Sequence, residues 1–399
     1  MSVEERVLIA GAGPVGLVAA ANLVRSGVPV TVLEAGPDLS EESRASTFHP
    51  PTLDMLDRLG AAQALIAQGI TAPQFQYRSK QHGVLAQFDF GAIADVTGHP
   101  YRVQAEQSKL TRILLDQLEG QRDFELQFGA QVKSVSQTPD GVAVTVERDG
   151  RSETRSGRYL IGADGASSSV RRSLGIAFDG FTWPERFLVV STPFDFAPVI
   201  PGLVAVSYVT DPKRWHFLLQ IPGLCRVMFP VAADESDELA LSPEFAQSLM
   251  ATVVPGQRRY EIAHTTLYKV HQRVAETFKQ GRAFLMGDAA HINNPLGGMG
   301  MNGGIHDAVN LTSRLVDIWQ DKIASTDADA ELARYDRQRR LVTLEYIEKA
   351  TIQNKRNLES DGSAFRDSLA HISADPARTR DYLLRVSMIT SLRRAEELG

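Results

Sequence analysis

Between residues 287 and 302 the chain reads Gly-Asp-Ala-Ala-His-Ile-Asn-Asn-Pro-Leu-Gly-Gly-Met-Gly-Met-Asn, which packs a carboxylate, an imidazole and a run of glycines into one short stretch. An apolar run from Ala283 to Met286 precedes it and reads as a buried strand. Ile305, Ala308, Val309, Leu311, Thr312 and Leu315 follow at three-and-four spacing, the period of an amphipathic helix. Gly297, Gly298, Gly300, Gly303 and Gly304 leave the intervening backbone with few side chains in its way. Glycine at that density ahead of a helix lets a large ligand press against main-chain N–H groups, where the helix also presents its partial positive charge. A floppy surface loop is the bland alternative. Its position between a tight strand and a well-formed helix favours a ligand cradle.

A second glycine turn lies at the start of the chain. Arg6 to Ala10 is a short buried strand running into Gly11-Ala12-Gly13-Pro14-Val15-Gly16. A helix through Ser26 stops at Gly27, and the strand Val30 to Leu33 ends at Glu34. Strand, tight turn, helix, strand and acidic residue in that order form a dinucleotide-binding fingerprint in its required context. Gly11 permits the turn, Gly13 lets backbone approach a pyrophosphate, and Gly16 allows helix and strand to pack closely. Glu34 is placed for an adenosine ribose hydroxyl. This motif alone does not separate FAD from NAD. A third turn, Gly162-Ala163-Asp164-Gly165, follows the apolar run Tyr159 to Ile161 and is followed by Ser168 and Val170-Arg171.

Together these three motifs resemble the class A flavoprotein monooxygenases, the relatives of para-hydroxybenzoate hydroxylase. The resemblance covers most of residues 1–175 and 275–350. It implies one non-covalent FAD, with Asp288 on the ribityl chain and the Gly300-Met301-Asn302 backbone facing the flavin pyrimidine edge. It also implies that the carbonyl of Pro295 lies beside the substrate and that the Asp164 segment contacts FAD and the pyridine nucleotide. Ser167 departs from the pattern, since family members often carry a basic residue there. Arg44, in Arg44-Ala45-Ser46, matches an arginine that approaches FAD, or it is a solvated loop residue. Gln107 matches a glutamine that contacts the flavin nucleotide, or it is simply the polar start of a helix. The implied cycle uses NAD(P)H to reduce the flavin and dioxygen to form a C4a-hydroperoxyflavin, which hydroxylates a small phenolic or heteroaromatic ring.

The implied fold is α/β. A Rossmann-like FAD-binding domain (1–73, 102–177 and 274–399, with C-terminal helices) carries an inserted mixed β-sheet substrate domain (74–101 and 178–273). Thr52 is expected to cap one helix and Ser108 another, Lys109 to Leu118, while Phe124 to Leu160 reads as a meander of short strands. Leu332, Tyr335, Leu341, Leu344 and Ile347 mark a late helix whose arginines and lysines read as a solvated face.

Composition sets the outer limits. The chain has 399 residues, 43% of them hydrophobic and 23% charged, enough for two lobes around a sizeable core. A net charge of −6 argues against nucleic acid as a main partner. The single cysteine, Cys225, excludes an internal disulfide, sits in an apolar run and fits a cytoplasmic location. Val7 to Val24 is apolar, but its glycines and Pro14 speak against a membrane span, and no metal site is expected. A monomer or homodimer is expected.

On the substrate side the candidates are Tyr208, Arg214, His216, His264 and Tyr268, with His216 and Tyr208 favoured to line the cavity and Arg214 offered to a substrate carboxylate. Asp38, Glu41 and Glu42 would repel a 2′-phosphate, which favours NADH over NADPH. A flavin dehydrogenase or reductase of the same fold, without oxygen insertion, is the rival enzyme reading. A non-catalytic flavin- or ligand-binding protein is the rival from another class.

Overall fold

The computed structural model describes residues 4–41, 45–211, 213–256, 259–359 and 363–398. Its first layer grows from the apolar runs at the three motifs. Val7–Ala10, Val30–Leu33, Phe124–Gln127, Tyr159–Gly162 and Ala283–Leu285 lie parallel in one sheet, and Lys279–Gln280 joins one edge antiparallel. Val7, Leu8, Ile9, Leu160 and Ile161 are at most 1% exposed, as a parallel sheet covered on both faces requires. Tyr159–Gly162 lies between Val7–Ala10 and Ala283–Leu285. The three glycine-bearing turns that follow these strands therefore share one end of the sheet, the carboxyl end where α/β folds bind their ligands.

The opening helix Pro14–Arg25 packs on the long helix Met299–Trp319, and glycine permits the contact. A Cβ on Gly304 would stand 2.6 Å from Val15 Cγ2 and 2.9 Å from the Gly287 Cα. The apolar stretch from Val7 to Val24 is thus strand, turn and helix. Two helix starts differ from expectation. Thr52 lies inside Pro50–Arg58, which begins after His49 because Pro50 and Pro51 bring a preset φ to its first turn. The helix expected over Lys109 to Leu118 with Ser108 as its cap begins two residues earlier, at Gln107 behind Glu106. Phe124–Gln127 pairs with Val30–Leu33, and the antiparallel meander is confined to Gln131–Gln137, Val142–Arg148 and Arg151–Gly157.

An eight-stranded mixed sheet forms the second layer, in the order His291–Ile292, His264–Ala275, Phe178–Thr192, Leu224–Val231, His216–Ile221, Val206–Thr210, Gln74–Ser79 and Gly83–Asp89. Both of its faces are apolar. One, with Leu188, Val209, Leu218 and Phe229, packs under the helix Pro243–Val253. The other, with Phe75, Tyr77, Phe187, Tyr208 and Met228, meets Leu296 and the C-terminal helices. Those helices are Ala328–Val342, a wide π turn over Thr343–Glu348, then Lys349–Glu359, Ser363–Ser373, Pro376–Val386 and Ile389–Glu397. Among the described residues no helix is long and apolar enough to cross a membrane.

Candidate active site

The opening turn is held by its neighbours. Gly11 has φ +99°, and a Cβ there would lie 2.5 Å from the Ala163 carbonyl oxygen, so only glycine lets this turn seat on the turn that follows Tyr159–Gly162. Gly16 is equally constrained, since its Cβ would run into the Gly11 carbonyl. Gly13 is different: its backbone is extended (φ −69°, ψ 177°), and a Cβ there would meet nothing within 4 Å. It caps a helix whose first residue, Pro14, has no N–H, leaving the Val15 and Gly16 amides without acceptors inside the helix. Glu34 accepts the Ala12 N–H at 2.7 Å and the Gly36 N–H at 2.8 Å through separate oxygens. It splints the turn, and a carboxylate's further lone pairs leave room for a hydroxyl donor.

Asp164 faces its own chain. It accepts the Ser168 hydroxyl at 2.5 Å and the amides of Ser169 and Val170 at 2.7 and 3.1 Å, so its side chain caps the short helix Ser169–Ser173. Arg171 continues the join, donating to the Ala289 carbonyl at 2.9 Å beneath the Gly-Asp stretch.

In that stretch Asp288 is exposed between the buried residues Gly287 and Ala289, and Pro295 is exposed between the buried residues Asn294 and Leu296. Gly297 and Gly298 take φ of +98° and +67°, which turns the chain into the N-terminus of Met299–Trp319. Gly300 is open as well, its nearest neighbour to a Cβ being Asn293 Oδ1 at 3.4 Å. Met301 is 9% exposed, while Asn302 is fully buried and works as a clamp. Its side chain accepts the His49 N–H at 2.9 Å and donates to the carbonyls of Thr47 at 2.8 Å and Gly298 at 2.6 Å. His49 Nε2 donates to the Gly297 carbonyl at 2.8 Å. Burial, helped by the Arg102 charge, holds that imidazole well below its usual pKa, so it is neutral. Gln107 opens its helix with its N–H on the Ala45 carbonyl at 3.1 Å. Arg44, just before, lies outside the described residues.

Beneath the cradle lies a charged group that the sequence pattern did not reveal. Asp307 is fully buried and accepts the Gly287 N–H at 3.1 Å, His291 Nε2 at 2.8 Å and Arg339 Nε at 2.6 Å. Burial alone would raise its carboxyl, but Arg339 and His291 hold it below its usual value. Arg339 is only 1% exposed, so the supposedly solvated basic face of the late helix contains one deeply buried arginine. An aspartate among the inward residues of this helix, beside Ile305, Ala308 and Leu311, was the available signal, because a buried charge requires a cation.

The favoured substrate-side pair splits across the sheet. Val209 is the register partner of His216, and both point to the face under Pro243–Val253, where His216 lies 5.5 Å from the Phe229 ring. Burial lowers His216 to about 3, so it is a neutral core histidine turned away from the cradle. Tyr208, one residue from Val209, faces the other way, in the apolar cluster that includes Leu296, and stacks on Tyr77 at 5.2 Å. The Tyr77 hydroxyl lies 3.1 Å from that of Tyr382, a residue of the C-terminal helices. Arg214 is bound by Glu235 at 2.6 Å and lies 5.6 Å from the Phe245 ring, away from the cradle face. His264 is bonded to Ser191 at 3.1 Å, and burial drives the Cys225 thiol up to about 12, as befits an inert core cysteine.

Comparison with known proteins decides the family. The FAD binding domain model matches residues 4–350. The chain is 32% identical over 406 residues to para-nitrophenol 4-monooxygenase of Pseudomonas sp. (strain WBC-3), covering 100% of this chain and 99% of that protein. It is 33% identical over 394 residues to 6-hydroxy-3-succinoylpyridine 3-monooxygenase of Pseudomonas putida (strain DSM 28022 / S16), covering 96% and 98%. The chain belongs to the class A FAD-dependent monooxygenases. The crystal structure of p-nitrophenol 4-monooxygenase from Pseudomonas putida DLL-E4 matches this monooxygenase with a TM-score of 0.90 at 29% identity, over 98% of this chain and 99% of that one.

FAD is the cofactor of this aromatic monooxygenase, and the residues present suit it. Gly13 leaves open ground before a helix N-terminus, where two amides can meet a pyrophosphate. Asp288 presents an exposed carboxylate along the way. A second helix N-terminus, preceded by left-handed glycines, offers its dipole to the electron-rich edge of a flavin.

Proposed function

We propose that this monooxygenase hydroxylates a small ring already bearing a hydroxyl, a substituted phenol or hydroxypyridine, with NADH preferred as reductant. The convergence of the Gly11, Asp164 and Gly287 turns at one end of a parallel sheet, facing the Tyr208 side of the mixed sheet, carries this proposal. The names of the two relatives above, one a nitrophenol and the other a hydroxypyridine monooxygenase, support the substrate class. Residues 1–73, 102–177 and 274–399 would hold FAD, and 74–101 with 178–273 would cover the substrate. Gly11, Gly13, Gly16 and Glu34 would serve the adenosine and pyrophosphate, with Arg44, Gln107 and Asp164 around them. Asp288 would serve the ribityl chain, and the backbone of Gly300, Met301 and Asn302 the flavin ring.

Bound there, FAD supplies hydride acceptance and the activation of dioxygen for transfer of one oxygen atom. The chain's own part is to hold the ring, keep out water and manage the phenolic proton. Pro295, exposed within a buried segment, would support the ring beside the cradle. Burial raises the hydroxyls of Tyr77 and Tyr382, so both stay protonated and form a neutral donor–acceptor pair. With Tyr208 stacked on Tyr77, this pair can relay the proton that a phenol must give up as its ring becomes nucleophilic. Each hydroxyl hands on its own proton as it takes one, and Tyr382 releases it to solvent in the cavity it lines.

The test is NADH oxidation and oxygen uptake against a panel of nitrophenols, halophenols, hydroxybenzoates and hydroxypyridines, with product mass measured. At least one panel member is expected to stimulate both and to gain one oxygen atom. Stimulated NADH oxidation with product formed and no oxygen consumed would instead point to a dehydrogenase. Tyr77→Phe should divert oxygen to hydrogen peroxide, whereas His216→Phe should leave coupling intact. The reverse pattern would overturn the assignment of faces.

A further inference from the structure

Beside the Leu296–Met299 turn the C-terminal helices line a half-open cavity of about 650 Å³, within the range of roughly 300–1,000 Å³ typical of small-ligand sites. Three observations bear on what it takes. The first is continuity with the cradle. Met299, on the cavity wall, is the first residue of the cradle helix, and Asn354 on the same wall donates to the Leu296 carbonyl at 3.3 Å. The second is the π turn over Thr343–Glu348. Its Ile347 seats on the cradle helix, where Cδ1 would be 2.9 Å from a Cβ on Gly303. The widened turn brings Glu345, Tyr346 and Ile347, followed by Lys349, onto one wall, a displacement that π segments commonly make at functional sites. The helix after it, Lys349–Glu359, is fixed on its other side by the buried Lys355, which pairs with Glu185 and stands 4.1 Å over the Trp183 ring.

The third observation is charge. Lys349 and Arg385 are exposed on the wall, and among the described residues neither has a carboxylate within ion-pair distance. Glu345 is the carboxylate of the wall, and Arg394 lies 3.5 Å from it. Phe365 and Tyr382 supply aromatic surface in the lining, and the Arg385 guanidinium lies 5.5 Å from the Tyr382 ring. The lining therefore combines flat apolar surface with an excess of positive charge.

We infer that this cavity selects the substrate at the mouth of the site under the Tyr208 face, which it adjoins where Phe365 and Tyr382 meet Tyr77. It admits a single aromatic ring carrying an anionic group, with Phe365, Tyr382 and Met299 against the ring and Lys349 and Arg385 meeting the anion. The inference rests on the hydroxylase function proposed above and narrows its substrates to rings that are anionic at working pH. Lys349 and Arg385 are specificity-determining residues in this account, and neither is required for the fold.

The test is equilibrium binding to the FAD-loaded enzyme without NADH, so turnover is not involved. The anionic probe is 4-nitrophenolate at mildly alkaline pH, followed by its visible absorption. The neutral probe is 4-nitrobenzyl alcohol, followed by calorimetry. Lys349→Gln and Arg385→Gln should each weaken the anion about 3- to 10-fold and the neutral probe less than about twofold, with salt reproducing the loss. Phe365→Ala should weaken both probes alike. Equal loss for both probes in the charge variants, or unchanged anion binding, overturns the charge selection. Unchanged binding of both probes in Phe365→Ala overturns the cavity assignment. FAD content, measured for every variant, checks that the fold is retained. Hydroxylation itself is judged separately, by the panel above.

Discussion

Replacing Gly13 with alanine separates the part a residue plays in the fold from the part it plays in binding. The native backbone at Gly13, φ −69° and ψ 177°, is one any residue adopts, and no atom lies within 4 Å of the added methyl. Packing cost is therefore absent. The entropy alanine removes from the unfolded chain, about 0.4–1 kcal/mol, roughly offsets its poorer performance as a helix cap. The apoprotein should melt within a few degrees of wild type. Binding should behave differently, because the methyl stands in the open ground before the Val15 and Gly16 amides. Loss of one charge-assisted N–H···phosphate bond, worth about 1.5–3 kcal/mol, corresponds to roughly a 10- to 150-fold rise in the FAD dissociation constant. Thermal melts of apoprotein and FAD titration by flavin fluorescence measure the two effects independently. Gly16→Ala is the contrast, since its methyl would strike the Gly11 carbonyl and should lower both stability and affinity. A folded Gly13→Ala protein that binds FAD like wild type would place the pyrophosphate elsewhere and refute the reasoning.

Stability should fall on mild acidification, because burial depresses both His216 and His306 to about 3. A histidine kept neutral by the fold contributes stability that is complete above its unfolded pKa of about 6.5 and is lost as pH drops toward the folded value, about 1.4 kcal/mol per pH unit for each. Urea midpoints that stay level from pH 7 to pH 5 would contradict this. Asp307→Asn leaves Arg339 buried without its carboxylate and should cost about 3–5 kcal/mol, visible as a large drop in melting temperature. A shift of under one degree would show that the ion pair does not matter. Asp38 and Glu41 are exposed and acidic, although Arg112 lies 3.4 Å from Asp38 and offsets part of the field, so a modest preference for NADH is expected in kcat/KM. A tenfold preference for NADPH would exclude it. Glu42, invoked with them, lies outside the described residues.

What could be read from sequence, and what could not, follows the range of the interaction that decides each feature. The three turns are written locally: a buried strand, a glycine suited to positive φ (+99° at Gly11, +56° at Gly287), and a helix start within a few residues. The fold around them was legible for the same reason. The face on which a strand residue lies is decided elsewhere. Alternation would have separated Tyr208 from His216 had one side of the mixed sheet been wet, but both sides are buried, so the period of two carries no polarity signal. Only the pairing of Val209 with His216 resolves it. The same holds for Arg339. In the run Arg337-Gln338-Arg339-Arg340 the first is exposed, the third is buried and the fourth half-buried, so a single step in helical phase selects the partner of Asp307. That phase is set by packing against the cradle helix. Cofactor recognition is thus written in contiguous motifs, whereas the substrate side is assembled from single residues on strands and helices far apart in sequence. Variation at Lys349 or Arg385 could accordingly redirect the substrate while leaving every flavin motif intact.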